Sequence, residues 1–465
     1  MPSQVVSELR ASFEEGVMRE FEDRKKALQA LKNLIVENED ALCEALFKDL
    51  RKPKAEAIAY ETLFTVNEIS HTMDNLKSWM KPERVARNFL QTVDGAYIHK
   101  DPLGVVLIIS AWNFPVQLLF GPMIGALAAG NCVVLKPSEV ASATEKVIAE
   151  LVPKYLSEKV ARVVCGGPEE TTALLKNKFD HIFYTGSTAV GRLIMLAAAD
   201  SLTPVTLELG GKCPVIVDEG TDLSIAAKRI MWGKLINAGQ ICVTADYVLC
   251  VNKNLDEFVA KCQKAVEEFY GADPSQHQDY CRIINKRHFD RVSKLLKATA
   301  GKKVLDGPSN AEDLYIAPTI VTEVKEDDEL MKDEIFGPIL PIVSCSSIDE
   351  AIAFVNKKSK ALTMYMFSDN GKNIDRVLKS TSSGNFTVND IMMHMCLESL
   401  PFGGVGTSGM GRYHGKYSFD TFTHEKAVLH RSSGFESFLW MRYPPYNESK
   451  MSWARRAVAK FRLPF

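Results

Sequence analysis

From Val5 to about residue 80, apolar positions recur three and four residues apart: Leu28, Leu31, Leu34, Ile35, Leu42 and Leu46 form one such series. That period places them on one face of a helix, so the spacing predicts a helical amino-terminal region punctuated at Pro53. Over residues 84–100 the pattern changes to short β-like segments around Asp94-Gly95, which is a hairpin signal. From 103 to 217, apolar runs at 103–110, 131–135, 160–164, 179–184, 204–209 and 213–217 alternate with helical stretches at 116–129, 142–152, 168–177 and 188–199. This alternation predicts a parallel sheet covered on both faces by helices. A second α/β region follows, with helices near 222–237, 255–269 and 287–299 and strands near 339–344 and 363–367. Residues 385–430 mix aromatics, glycines and alternating strand-like stretches, and no internal repeat is visible.

Residues 102–135 carry no charge and are long enough to span a bilayer. Asn113, Pro115, Gln117, Pro122, Gly130 and Asn131 interrupt them, which favours a buried strand, loop, helix and strand instead. The amino terminus, MPSQVVSELRASFEEG, has acids and no apolar core, so no signal peptide is expected. A cytoplasmic protein with reduced thiols is the expectation, and the ten cysteines include no CxxC pair and no zinc-like cluster. With 56 basic and 58 acidic residues spread evenly, no basic stripe suggests a nucleic-acid partner.

Four short constellations carry candidate chemistry. Thr185-Gly186-Ser187-Thr188-Ala189-Val190-Gly191 follows an apolar run and opens a helix, where backbone N–H groups can hold a pyrophosphate. Its GxxxxG spacing, rather than GxGxxG, taken alone favours a plain strand–helix turn. Lys136 and Glu139, in LKPSE, can grip the hydroxyls of a ribose or form a solvated charged turn. Glu208 sits directly after an apolar strand and before Gly210-Gly211; a carboxylate so placed can be a general base or a structural acceptor. Cys242 ends Asn237-Ala238-Gly239-Gln240-Ile241-Cys242 with no local histidine, so from these residues alone a buried inert cysteine is favoured.

Taken together, the order WNFP (112–115), LKPSE (135–139), FYTGSTAVG (183–191), LELGGK (207–212), GQIC (239–242), EIFGP (334–338) and PFGGVGTSGMG (401–411) resembles the aldehyde dehydrogenase superfamily over roughly residues 5–430. The short amino-terminal region, the run from Pro401 to Leu429 and Arg442-Tyr443-Pro444-Pro445 are similar to its class 3 branch, which includes the fatty aldehyde dehydrogenases. The resemblance implies an α/β fold: a Rossmann-like cofactor domain (1–83 and 101–209), an α/β catalytic domain (210–388), a small bridging β element (84–100 and 389–430) and a tail (431–465). It also implies a homodimer.

The same resemblance implies roles. Cys242 attacks the aldehyde, Asn113 and the Cys242 N–H meet the oxyanion, and Glu208 activates the hydrolytic water. Lys136 and Glu139 hold the adenosine ribose, Ser187 with the amides near Gly186 and Gly191 meets the pyrophosphate, and Glu334 holds the nicotinamide ribose with Trp112 and Phe336 alongside. NAD is the expected cofactor, with NADP open, and no metal is expected. Phe114, Leu118, Trp232, Ile236, Ile391, Met392 and Met395 are uncharged, lie near these motifs, and are read either as an apolar substrate channel or as core. The product is then a carboxylic acid from an aliphatic or aromatic aldehyde. The alternatives are an acylating enzyme that hands the acyl group to phosphate or coenzyme A, and a non-catalytic binding protein on the same fold. Finally, SKMSWARRAVAKFRLPF has five basic residues and no acid. Trp453, Ala457 and Phe461 fall on one helical face, which suits either weak contact with an anionic membrane surface or a solvated terminus.

Overall fold

The computed structural model describes residues 2–87, 94–251, 255–431, 433–434 and 436–458. The amino-terminal region folds as helices Pro2–Glu15, Phe21–Glu37, Glu39–Leu50 and Leu63–Trp79. The series from Leu28 to Leu46 is fully buried, each side chain contributing about 1.5–3 kcal/mol by removal from water. Between Lys54–Ala57 and Leu63–Trp79 the chain widens into one π-helical turn, Ile58–Thr62.

Five parallel strands, Val205–Glu208, His181–Thr185, Val105–Ile109, Cys132–Lys136 and Ala161–Val163, stand side by side in that order. Gly409–Met410 adds an antiparallel sixth strand beside Glu208. The chain leaves Val105–Ile109 toward one edge and returns at His181–Thr185 on its other side, so the strand order reverses between these two. Ligands of open α/β sheets bind beyond the carboxyl ends at such a point, which here means Ser110–Asn113 and Thr185–Ser187. The uncharged helix Gln117–Ala129 is buried along its whole length and ends at Gly130 (φ 95°). No helix among the described residues is long and apolar enough to cross a membrane.

The second sheet runs Lys302–Leu305, Thr319–Thr322, Ile339–Cys345, Tyr247–Val251, Pro214–Val217, Thr363–Phe367, Asn385–Val388. Its pairs are parallel except at the Lys302–Leu305 edge. The central strand Tyr247–Val251 is absent from the sequence-based expectation: YVLCV is only five residues long, and periodicity alone does not tell so short an apolar run from a buried helical segment.

Residues Met1–Trp79 with Pro102–Phe422 form one compact unit, and Met80–Asp101 with Thr423–Phe465 a smaller one. The larger unit holds both sheets. The smaller holds a three-stranded sheet, Glu83–Arg84, Gly95–Pro102 and Thr423–His430, with Glu83 opposite Ile98. The turn expected in the hairpin falls partly on residues 88–93, outside the described residues. The bridging span expected at 389–430 is shorter in the structure, because Phe402 pairs with Tyr413, and Gly409–Met410 joins the first sheet. Residues 389–422 therefore belong to the larger unit. In the tail, Glu448–Val458 is helical with Met451 and Trp453 exposed. Lys460, Phe461, Arg462 and Pro464 lie outside the described residues, as does the side chain of Ala457.

Candidate active site

The helix Leu223–Leu235 runs into a turn whose residues Asn237 (φ 51°), Ala238 (φ 51°) and Gly239 (φ 74°) are all left-handed. For non-glycine residues that conformation costs on the order of 1–3 kcal/mol each and persists only when neighbours over-determine it. They do. The Asn237 N–H donates to Glu56 Oε2 at 3.0 Å, and Asn237 Nδ2 donates to the carbonyls of Asn113 (3.0 Å) and Gln240 (3.2 Å). Gln240 Nε2 donates back to the Asn237 carbonyl at 2.9 Å and to that of Arg282 at 3.0 Å. A side chain at Gly239 would run into the carbonyl of Gly337. The loop thus delivers a half-buried Cys242 whose own carbonyl accepts a bond from the Cys213 thiol at 3.3 Å.

Asn113 lies just past Val105–Ile109, and its Nδ2 donates to the Gln240 carbonyl at 3.0 Å, two residues before Cys242. Glu208 ends its strand, and both its carboxyl oxygens are buried without a hydrogen-bond partner. Burial alone holds that carboxyl well above the ordinary range. Burial also pushes the Cys242 thiol up, and the charges of Glu334 and Glu208 push it further. The cysteine therefore rests as a thiol beside a carboxyl that becomes a strong base once ionised.

Cys242, Glu208, Asn113 and Thr185 line two cavities at once. The first is a tight cavity of about 60 Å³. Phe114, Leu118, Trp232, Ile236, Met392 and Met395 line it, as the channel reading expects. Ile391 does not: it is fully buried and packed against Gly233, so it is core. Tyr60, Phe64, Phe402 and Tyr413 also line this cavity and were not anticipated. Tyr60 and Phe64 lie far along the chain from every motif and only the tertiary fold brings them there, whereas Phe402 sits within the 401–411 motif and Tyr413 two residues beyond it.

The second cavity is a cleft of about 580 Å³. Trp112, Gly186, Ser187, Glu334 and Phe336 line it. Trp112 stands between His288 (tilted, ring centres 4.8 Å apart) and Phe336 (edge-to-face, 5.3 Å) as an aromatic wall. The Gly186 N–H is already given to the Glu208 carbonyl at 3.0 Å. The donors left for an anion are the first N–H groups of helix Thr188–Ala199, which Ser187 caps. Lys136, Glu139 and Gly191 are not in this wall. Lys136 pairs with Glu139 at 2.8 Å, and Gly191 lies under Leu209, where a Cβ would collide. His288, Arg291 and Lys358 join the cleft unannounced by any motif. A nucleotide-sized cleft, a helix amino terminus and an aromatic wall fit a dinucleotide. Among the described residues, no group of His, Cys, Asp and Glu is placed to hold a metal ion.

A cysteine between a nucleotide-sized cleft and an apolar cavity is an arrangement suited to an oxidoreductase. Comparison with known proteins makes the class specific: the chain belongs to the aldehyde dehydrogenase family, whose model matches residues 3–428. It is 48% identical over 446 residues to aldehyde dehydrogenase family 3 member B1 of Mus musculus, covering 96% of this chain and 95% of that protein. It is 47% identical over 456 residues to family 3 member A2 of Rattus norvegicus, covering 98% and 94%. A solved structure described as the substrate-bound state of Staphylococcus aureus AldH superposes with a TM-score of 0.96 at 41% identity, covering 98% of this chain and 99% of that one. The protein is an aldehyde dehydrogenase similar to the family 3 members, and the family works with NAD(P).

Proposed function

We propose that this enzyme oxidises apolar aldehydes, medium- or long-chain aliphatic or aromatic, to carboxylic acids, with NAD preferred and NADP accepted. One observation carries the reading: Cys242, Glu208 and Asn113 stand where an apolar cavity and a nucleotide-sized cleft meet. The Cys242 sulfur adds to the carbonyl carbon, and its proton passes to a neighbouring carboxylate. The Asn113 amide and the Cys242 N–H receive the negative charge that develops on oxygen. NAD(P), when bound, supplies the hydride acceptor, held by Ser187, the helix start behind it, Trp112, Glu334 and Phe336. Glu208, ionised once the thiol's proton has passed to solvent, then takes a proton from water, which attacks the thioester; the carbon–sulfur bond breaks, the proton returns to the Cys242 sulfur and the acid is freed. The preference for NAD further requires that the adenosine end run past the cleft wall to Glu139, paired with Lys136, whose charge disfavours a 2′-phosphate.

Transfer of the acyl group to phosphate or coenzyme A would need no hydrolytic base, and the Glu208 carboxyl at the thiol speaks against it. The aromatic and aliphatic lining offers an incoming chain roughly 0.8 kcal/mol per buried methylene. Initial-rate measurements on aldehydes of increasing length test the proposal. kcat/KM should climb from short to medium or long chains, with free acid as the product. A flat profile, or preference for a charged semialdehyde, overturns it.

We further propose a cytoplasmic homodimer. Among the described residues the Thr423–His430 strand stands last in its three-stranded sheet, an edge position that a second copy can cover. Light scattering at micromolar concentration distinguishes dimer from monomer. The basic tail helix with exposed Trp453, Arg455 and Arg456 supports weak, salt-sensitive contact with anionic membrane surfaces.

A further inference from the structure

Two charged side chains that the mechanism above does not use lie behind the site. Lys52 and Glu61 form an ion pair with no side-chain exposure at all. A buried pair of this kind rarely adds stability over well-packed apolar residues, so what its atoms hold decides its purpose. Lys52 Nζ donates to the main-chain carbonyl of Asn113 at 3.0 Å, and its ammonium stands 4.0 Å from the centre of the Phe114 ring. Glu61 gives Oε1 to the ammonium. Its Oε2 accepts the N–H groups of Val116 at 2.9 Å and Gln117 at 3.2 Å. Those amides open helix Gln117–Ala129 and would otherwise lack partners.

The pair therefore holds residues 113, 114, 116 and 117, all on the wall of the catalytic junction or leading into it. The Asn113 carbonyl also accepts Asn237 Nδ2 at 3.0 Å, so Lys52 and the strained loop before Cys242 meet on one oxygen atom. Glu61 reaches this place from the π-helical turn Ile58–Thr62, a geometry found most often at functional sites.

We propose that Lys52 and Glu61 are positioning residues for acyl transfer: they fix the Asn113 main chain, and through it the side-chain amide that meets the oxyanion on Cys242. The proposal rests on the roles given above to Asn113 and Cys242. Neither Lys52 nor Glu61 touches the reacting atoms, so removing them should act only while Asn113 is present.

The test compares four proteins: the parent, Lys52→Met/Glu61→Gln, Asn113→Ala, and the triple variant. The double variant leaves no unpaired buried charge, and the new amide oxygen at position 61 can still accept the Val116 and Gln117 amides. Rapid mixing with saturating NAD and an aliphatic aldehyde gives the rate of the first NADH turnover, and its amplitude reports the active fraction. The double variant should keep its amplitude and slow the first turnover roughly 10- to 100-fold, the scale expected of a misplaced oxyanion donor. On the Asn113→Ala background the same pair of changes should slow it no further.

A first-turnover rate within about twofold of the parent overturns the proposal. So does an equal multiplicative loss on both backgrounds, which marks general structural support. Glu61→Gln alone, which removes one charge and almost no volume, should show a smaller loss with the same dependence on Asn113. It reads the proposal should the double variant not fold. An undiminished rate in Asn113→Ala would remove the amide from the reaction and the positioning role with it, an outcome distinct from the other two.

Discussion

Glu334 folds its carboxylate over Gly210 so closely that a Cβ at that position would collide with Oε2. Burial and the Asp246 charge push the Glu334 carboxyl up to about 8, against the opposing pull of the Gly211 N–H and the Lys212 and Arg291 charges. Gly210→Ala should therefore displace Glu334 from the wall of the cofactor cleft. We expect KM for NAD to rise roughly tenfold, the scale of a small misplacement in a preorganised site, with little change in melting temperature. An unchanged KM for NAD would detach Glu334 from cofactor binding.

Cys242→Ser keeps the size of the side chain and removes the thiol. The variant should bind NAD as the parent does, by fluorescence titration, and lose aldehyde oxidation. Near-normal turnover would mean that another of the ten cysteines carries the reaction.

Glu208→Gln separates the two halves of catalysis. The variant should give at most one burst of NADH per site and then stall at the thioester. In the parent, the carboxyl must lose a proton to act, and burial raises the pH at which it does so. Steady-state turnover should therefore rise with pH on the alkaline side of ordinary carboxylates, and that limb should vanish in Glu208→Gln. Undiminished steady-state turnover in the variant removes Glu208 from the base role.

Glu68 carries a stability prediction unrelated to chemistry. Both its carboxyl oxygens are buried without hydrogen-bond partners. Burial, with the Glu398 charge adding and the nearby Gly415 N–H opposing, pushes its carboxyl from 4.5 up to about 8. The folded protein thus binds this proton more tightly than the unfolded chain does. Its stabilising effect is complete below pH 4.5 and is lost as the pH climbs to about 8. By pH 7 the loss is about 3 kcal/mol. Glu68→Gln has no proton to lose, so its melting temperature relative to the parent should rise between pH 5 and pH 8. Parallel melting curves across that range would contradict the prediction.

Truncation after Pro445 should abolish any sedimentation with anionic vesicles at low salt. Equal and negligible pelleting of the full-length and truncated proteins would leave the tail a solvated terminus.

The alternating apolar runs were sufficient to find the first sheet almost strand for strand, because strands buried on both faces, such as Val105–Ile109 and Cys132–Lys136, have no polar side to blur the signal. Tyr247–Val251 is equally buried, yet it stands outside the regular strand–helix alternation of the first sheet, and five apolar residues alone carry no period that separates strand from buried helix. The proposed catalytic trio, Cys242, Glu208 and Asn113, is recognisable in the sequence only as part of a motif series. Nothing local to Cys242 marks it, since its environment comes from residues 56, 113 and 208 through the fold. Ile391 shows the opposite error: an apolar residue next to a motif is as readily core as cavity wall. Tyr60 and Phe64 were out of reach, since no spacing along the chain links a helix near the amino terminus to a cysteine at 242.

The two cavities share only a thin partition of four side chains, Asn113, Thr185, Glu208 and Cys242. That partition separates what is oxidised from how it is oxidised. Residues such as Trp232, Met392 and Tyr60 face one chamber alone, and Trp112, Ser187 and Phe336 face the other. Under the proposed roles, substitutions on the apolar side would re-tailor the enzyme for a longer, shorter or bulkier aldehyde and leave the other chamber untouched. A lineage built on this plan can diversify its diet while keeping one inherited chemistry.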